Sequence, residues 1–108
     1  MNYLSNNYAV YGQINVNDLN VLKSEGFCVI INHRPDGEVY GQPKSEELKD
    51  YANKLGLSYH HVPVEIGNIT KEIIESYKKV LSMHEKDKIF AFCGSGKRAT
   101  ILFNLVNS

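Results

Sequence analysis

The sequence predicts an α/β fold built on a mostly parallel sheet of four to five strands flanked by helices. Three observations carry this. Short apolar, aromatic or β-branched runs at Tyr8 to Gly12, Phe27 to Ile31, Ser58 to Val64 and Lys88 to Phe92 alternate with segments whose apolar residues recur at helical spacing. Glycine, proline or asparagine punctuates most junctions. The run Phe27 to Ile31 has no polar interruption, as expected of a central strand covered on both faces.

Taken in order, YAVYG closes the first strand on Gly12, and Asn15 or Asn17 is placed to cap a helix whose apolar face is Leu19 and Leu22. Gly26 is positioned to end that helix in a left-handed turn. Cys28 falls inside the next strand and is expected to pack in the core. NHRPDGEVYGQP, from Asn32 to Pro43, is a loop at that strand's carboxyl end. Its Arg34, Asp36 and Glu38 can reach across the sheet edge where parallel sheets gather ligand sites; a tight turn with solvated charges is the competing reading.

A second helix begins at Ser45, with Leu48, Tyr51, Ala52 and Leu55 on one face and Gly56 past its end. SYHHVPV follows as a strand that Pro63 places near an edge or an end. Its neighbours His60 and His61 point to opposite faces, so they are not a shared metal pair. Thr70 caps a third helix with the stripe Ile73, Ile74, Tyr77, Val80 and Leu81.

The fourth strand, KIFAF, delivers Cys93 into a loop freed by Gly94 and Gly96, and a helix with Ala99, Leu102, Phe103 and Val106 on one face follows at once. Unpaired amides at a helix start, together with those of a curled loop, form a cradle of partial positive charge in which a thiolate or an oxyanion can rest. Arg98 adds a planar donor fork, and Lys97 a second, less directional cation. Cys93 is therefore the candidate nucleophile and Arg98 its anion clamp, with Gly94, Ser95, Gly96, Lys97 and Arg98 as the anion-binding loop. A nucleotide-binding P-loop is excluded, because it needs glycine and Ser or Thr where this chain has Ala91 and Arg98. The competing structural reading is a strand-to-helix turn with a buried cysteine.

Composition narrows the partners. A chain of 108 residues, 43% apolar, suffices for one domain with one core. Twelve basic and twelve acidic residues cancel, which argues against nucleic acid and membrane surfaces as partners. A disulfide between Cys28 and Cys93 is not expected from their dissimilar settings. The amino terminus lacks a basic start and a long apolar stretch, so neither a secretory signal nor a transmembrane segment is expected; together these point to a reducing, cytoplasmic setting. No metal or other cofactor is indicated.

The spacing of Cys93 and Arg98, with four residues between, resembles two families. Tyrosine and dual-specificity phosphatases have five residues there, and rhodanese-type sulfurtransferases often have four. With YGQI near the start, INHRPDGE in the middle and FCGSGKRA near the end, the chain resembles the small phosphatase-like domain that occurs fused to β-lactamase-like hydrolases. The resemblance covers nearly all of residues 1–108 and implies a tyrosine-phosphatase-like fold and a β-lactamase-like hydrolase as partner. It departs at Gly94, where a basic or polar residue is common, and at Ala99, where a hydroxyl usually follows the arginine. The last helix looks short for the family, implying truncation at the carboxyl end, a partner chain or a homodimer.

The function expected from these features is thiol-dependent group transfer on a small anionic substrate. Sulfur transfer through a Cys93 persulfide is the leading expectation, because the loop is short and EIGNIT carries no aspartate where dual-specificity phosphatases place their general acid. Phosphate ester hydrolysis through a phosphocysteine is the alternative, with Glu65 or Asp36 as the acid. A non-catalytic anion-binding module is a third.

Overall fold

In the computed structural model, residues 1–107 are described. The elements are β1 (Asn2–Ser5), β2 (Tyr8–Tyr11), α1 (Val16–Ser24), β3 (Val29–Asn32), α2 (Ser45–Lys54), β4 (Ser58–His61), α3 (Lys71–Met83), β5 (Ile89–Phe92) and α4 (Lys97–Asn107). One five-stranded sheet runs in the order β1-β2-β5-β3-β4. All pairings are parallel except that of β1 with β2, so the expected α/β class and mostly parallel sheet are found.

Alternation along the strands sorts the core into two layers. Ile30, Phe90 and Phe92 face Leu19 and Leu22 of α1 and Leu48 and Ala52 of α2. Val29, Ile31, Ala91 and Cys93 face Tyr77 and Val80 of α3 and Ala99 and Leu102 of α4. β3 and β5 are buried along their whole length, which is why both read as unbroken apolar runs.

The caps follow the sequence closely. Asn15, not Asn17, caps α1, accepting from the Asp18 amide at 3.3 Å while the Asp18 carboxylate accepts from the Asn15 amide at 2.9 Å, a reciprocal capping box. Thr70 caps α3 through the Ile73 amide, as expected.

Two expectations are corrected, and a fifth strand completes the expected four to five. Strand β1, NYLS, is short and largely polar, so it carries no strand signal; it sits at an exposed edge and pairs only with β2. β3 begins at Val29, so Cys28 precedes it and lies exposed, with its thiol turned to the Gly26 carbonyl at 3.6 Å. β4 ends at His61, and the chain beyond Pro63 continues as an irregular ribbon in which the Val64 amide still donates to the His33 carbonyl at 2.9 Å.

His33 is a buried histidine one residue past β3. Its Nδ1 lies 2.9 Å from the Val62 carbonyl, which can only accept, so Nδ1 carries the proton. Nε2 is buried without a partner among the described residues. Burial, opposed by the Val62 bond and aided by the charges of His61 and Arg98, pushes the His33 pKa down to about 4. The unfolded chain then binds this proton near pH 6.5 and the folded chain only near 4. The contribution to stability is complete above about 6.5 and is lost as pH falls to about 4, on the order of 3 kcal/mol in all. Urea unfolding at pH 7, 5.5 and 4 is expected to show this slope in the wild type and a much flatter one in His33→Asn. Parallel slopes would mean that His33 is not held neutral.

Candidate active site

β2, β3 and β5 run in register, with Tyr11, Asn32 and Phe92 at one level. The chain therefore leaves the sheet at Gly12, His33 and Cys93 side by side, and the loops after these strands form a single rim.

The Cys93 loop rests on the end of β2. A methyl group on Gly12 would stand 2.9 Å from the Gly94 carbonyl oxygen, a contact that real Cβ atoms essentially never make. The Gln13 amide donates to that same oxygen at 3.4 Å. Gly96, at φ +93°, turns the loop back into α4 in a conformation that other residues rarely adopt. Its carbonyl accepts the Thr100 amide at 3.1 Å and the Thr100 hydroxyl at 2.8 Å. The Thr100 hydroxyl is thus spent on the helix start, and Ala99 itself is fully buried.

Within this turn the Gly96 amide donates to the Cys93 sulfur at 3.1 Å, and Cys93 is only 1% exposed. The amides of Gly94 and Ser95 make no hydrogen bond among the described residues. Arg98 lies over the loop, held from two sides. Its Nη1 and Nη2 donate to the two carboxylate oxygens of Glu38, both at 2.8 Å, and Nη1 also donates to the Val64 carbonyl at 2.8 Å. A guanidinium has five N–H donors, so the Nε–H and one hydrogen of Nη2 are left over from these three bonds, next to Cys93. A methyl group on Gly94 would lie 3.3 Å from that Nη2 and 3.4 Å from Arg34 Nε, so both guanidiniums crowd the loop.

Arg34 is fixed in turn, with Nε on Glu38 at 2.8 Å and Nη1 on the Gln13 side-chain oxygen at 3.0 Å. His61 Nε2 donates to the Arg34 carbonyl at 2.8 Å. The Arg98 bond, helped by Arg34 and opposed by burial, holds the Glu38 pKa down at about 2. Glu38, first among the causes, and Cys93 raise the Arg98 pKa. Glu38 is therefore ionised at neutral pH.

Of the residues expected from the sequence, Cys93, Gly94, Ser95, Gly96, Lys97, Arg98 and Arg34 are brought together. Glu65 lines the adjoining cleft, 650 Å³ in volume, which is bounded by the Cys93 loop, the β3–α2 loop and residues 64–69. Asp36 does not join them. Its carboxylate accepts the Ser45 amide at 2.8 Å and starts α2, a helix whose N-cap residue, Lys44, makes no side-chain cap bond. Sequence reasoning gave no role to Gly12, Gln13 or the Val64 carbonyl; the YGQI string signalled the first two, and nothing local signalled the third.

The comparisons with known proteins bear on this arrangement. The profile of the phosphatase-like domain of β-lactamase hydrolase-like proteins matches residues 1–108. The chain belongs to that family. A β-lactamase hydrolase-like protein of Agrobacterium fabrum is 36% identical over 96 residues, which is 89% of this chain but 22% of the relative. The phosphatase-like domain thus spans about a fifth of the curated relatives it matches. A solved structure from Neisseria meningitidis Z2491, assigned provisionally as a phosphatase, superposes with TM-score 0.86 at 24% identity, covering 97% of this chain and 74% of that one. The kinase associated phosphatase, solved with its catalytic-site cysteine changed to serine, superposes with TM-score 0.56 at 24% identity over 75% of this chain and 47% of its own. The fold is therefore that of the tyrosine-phosphatase-like proteins, as the resemblance implied.

Two outcomes are expected of this phosphatase-like domain. Gly12→Ala forces a Cβ against a backbone oxygen that cannot turn aside, so the loop must shift, at a cost of about 1–3 kcal/mol. Thermal unfolding is expected to drop by several degrees or more. Glu38→Ala frees the Arg98 guanidinium, and phosphate binding measured by calorimetry is expected to weaken roughly tenfold or more through lost positioning. Tighter binding would mean that Glu38 occupies the anion's own seat.

Proposed function

We propose that this phosphatase-like domain hydrolyses small phosphate monoesters through Cys93, with Arg98 and the loop amides as the anion cradle. The observation that carries the reading is Arg98, fixed over the Cys93 loop by Glu38 and the Val64 carbonyl with a donor edge still open. Gly94 and Ser95 line the cleft next to Cys93 in the chain, and their amides are the seat this reading gives the phosphoryl group. The family and the fold of its structural neighbours support this chemistry over sulfur transfer.

In the first step the Cys93 thiolate attacks phosphorus, an S–P bond forms and the P–O ester bond breaks. The departing alkoxide takes a proton from Glu65, the carboxyl on the cleft wall that is not engaged by an arginine. Water, giving a proton to the Glu65 carboxylate and so restoring the acid, then attacks phosphorus, the S–P bond breaks, and inorganic phosphate leaves with the thiolate restored. Asp36 is not assigned this role, because it caps α2.

Sulfur transfer is retained as a second reading on one observation: the loop has four residues between Cys93 and Arg98, one fewer than phosphatases use. There the thiolate takes the outer sulfur of thiosulfate, sulfite departs, and the persulfide passes that sulfur to cyanide or a thiol. Neither step protonates an alkoxide. We also propose that the domain works beside a β-lactamase-like hydrolase; the names of its longer relatives support this.

A side-by-side assay separates the two chemistries. Wild type is expected to hydrolyse phosphate monoesters and Cys93→Ser to lose that turnover. Glu65→Gln is expected to lose about a hundredfold on an alkyl ester and much less on an activated aryl ester. If thiosulfate instead adds one sulfur to Cys93, cyanide removes it, and no ester is turned over, the sulfur reading replaces the phosphatase one.

A further inference from the structure

Two histidines that are 24 positions apart in the sequence meet at a place to which the Cys93 chemistry gives no role. His60 stands opposite Ile31 in the ladder, so it leaves the edge strand β4 on the face that packs against α3, and His84 caps the carboxyl end of that helix. Their Nε2 atoms face each other at 2.9 Å, with the rings inclined at 60° and so not stacked. On its far side the His84 ring donates from Nδ1 to the Asp87 carboxylate at 2.9 Å. An ionised carboxylate only accepts, so the neutral His84 ring carries its proton on Nδ1 and presents a lone pair on Nε2 towards His60. A carboxylate so placed fixes the ring and makes its free nitrogen a stronger metal ligand.

We propose that His60 and His84 bind one divalent late transition ion, zinc above all, through their two Nε2 atoms, with Asp87 orienting His84 and water completing the coordination. Zinc–nitrogen bonds of about 2.0–2.1 Å in a tetrahedron hold two nitrogens roughly 3.4 Å apart, so the pair, at 2.9 Å, opens by only about 0.5 Å to admit the ion. Imidazole nitrogen selects zinc, copper or nickel over magnesium and calcium, which take oxygen. No third histidine, cysteine or carboxylate completes a ligand set among the described residues, which is why the remaining positions go to water. A cavity of 320 Å³, lined by His84, Glu85, Ser5 and Asn7 among others, opens beside the His84 ring and gives ion and water a way in. The site stands apart from Cys93, because the turn bearing Asp87 enters β5 at one edge of the sheet and Cys93 leaves it at the other. Bound there, the ion ties β4 to the end of α3 and stabilises the fold by mass action.

Titrations of tag-free protein test this without any substrate. Zinc is expected to bind one per chain with a micromolar dissociation constant and to raise the thermal midpoint by several degrees when saturating, whereas magnesium does neither. His60→Ala and His84→Ala are each expected to weaken zinc binding about tenfold or more, and Asp87→Asn, which keeps both ligands, by about tenfold. Thiols also take zinc, so the affinity is expected to be unchanged in Cys28→Ser/Cys93→Ser. Nuclear magnetic resonance on wild type, which depends on no variant folding, is expected to show the largest zinc-induced ring shifts at His60 and His84 and not at His33 or His61. A dissociation constant weaker than millimolar, equal stabilisation by magnesium, loss of binding with the two cysteines, or unshifted His60 and His84 rings overturns the inference.

Discussion

Everything at the candidate site depends on three parallel strands ending at the same level. β5 lies between β2 and β3, paired residue for residue with both. In such a ladder the chain can leave only at the carboxyl edge, and three neighbouring exits must share one rim. Gly12 supports the Cys93 loop from below, and the loop after His33 covers it from the side. A slip of one residue in β5 would turn Cys93 towards the α1 and α2 layer and bury Phe92 under α4.

The second constraint is electrostatic. Two guanidiniums crowding one glycine repel each other, and the Glu38 carboxylate between them makes their approach tolerable. An ion pair that is partly buried contributes little net stability, because desolvation offsets most of the attraction. Its value here is geometric: a bidentate contact plus the Val64 carbonyl fixes both ends of the Arg98 fork, so the open edge is aimed before any anion arrives. The same reasoning explains why a histidine holds the Arg34 carbonyl: the loop bearing Arg34 and Glu38 has no regular structure of its own.

Sequence made the helices and central strands legible because burial imposes a period, and burial is what the apolar residues of α3, β3 and β5 record. It made the Cys93 loop legible because two glycines, a cysteine and an arginine are unusual together. β1 was invisible, since an exposed edge strand of mostly polar residues carries no such period. Cys28 was misread for the opposite reason: an apolar run was extended two residues beyond the strand's true start. Asp36 and Glu38 show where local reading ends. Both are carboxylates in one loop, and only the path of the chain decides that one caps α2 while the other reaches Arg98, sixty residues away in sequence.

The choice between the two chemistries turns on what each transition state demands of this geometry. A phosphoryl group in flight spreads negative charge over three equatorial oxygens and gains from every fixed donor around it. A persulfide carries its charge on one soft sulfur and gains little from a second arginine. Arg34, fixed beside Arg98 through Glu38 and within 3.4 Å of where a Gly94 side chain would begin, brings a second set of donors to the loop that an oxyanion can use and a persulfide cannot. The four-residue loop pulls the other way, because a smaller ring of amides surrounds fewer oxygens. Arg34 can compensate for that ring from outside it, supplying from the β3–α2 loop the donor that a longer Cys93 loop would have supplied itself. On that argument the second arginine offsets the short loop, and the loop length alone does not exclude phosphoryl chemistry at this site.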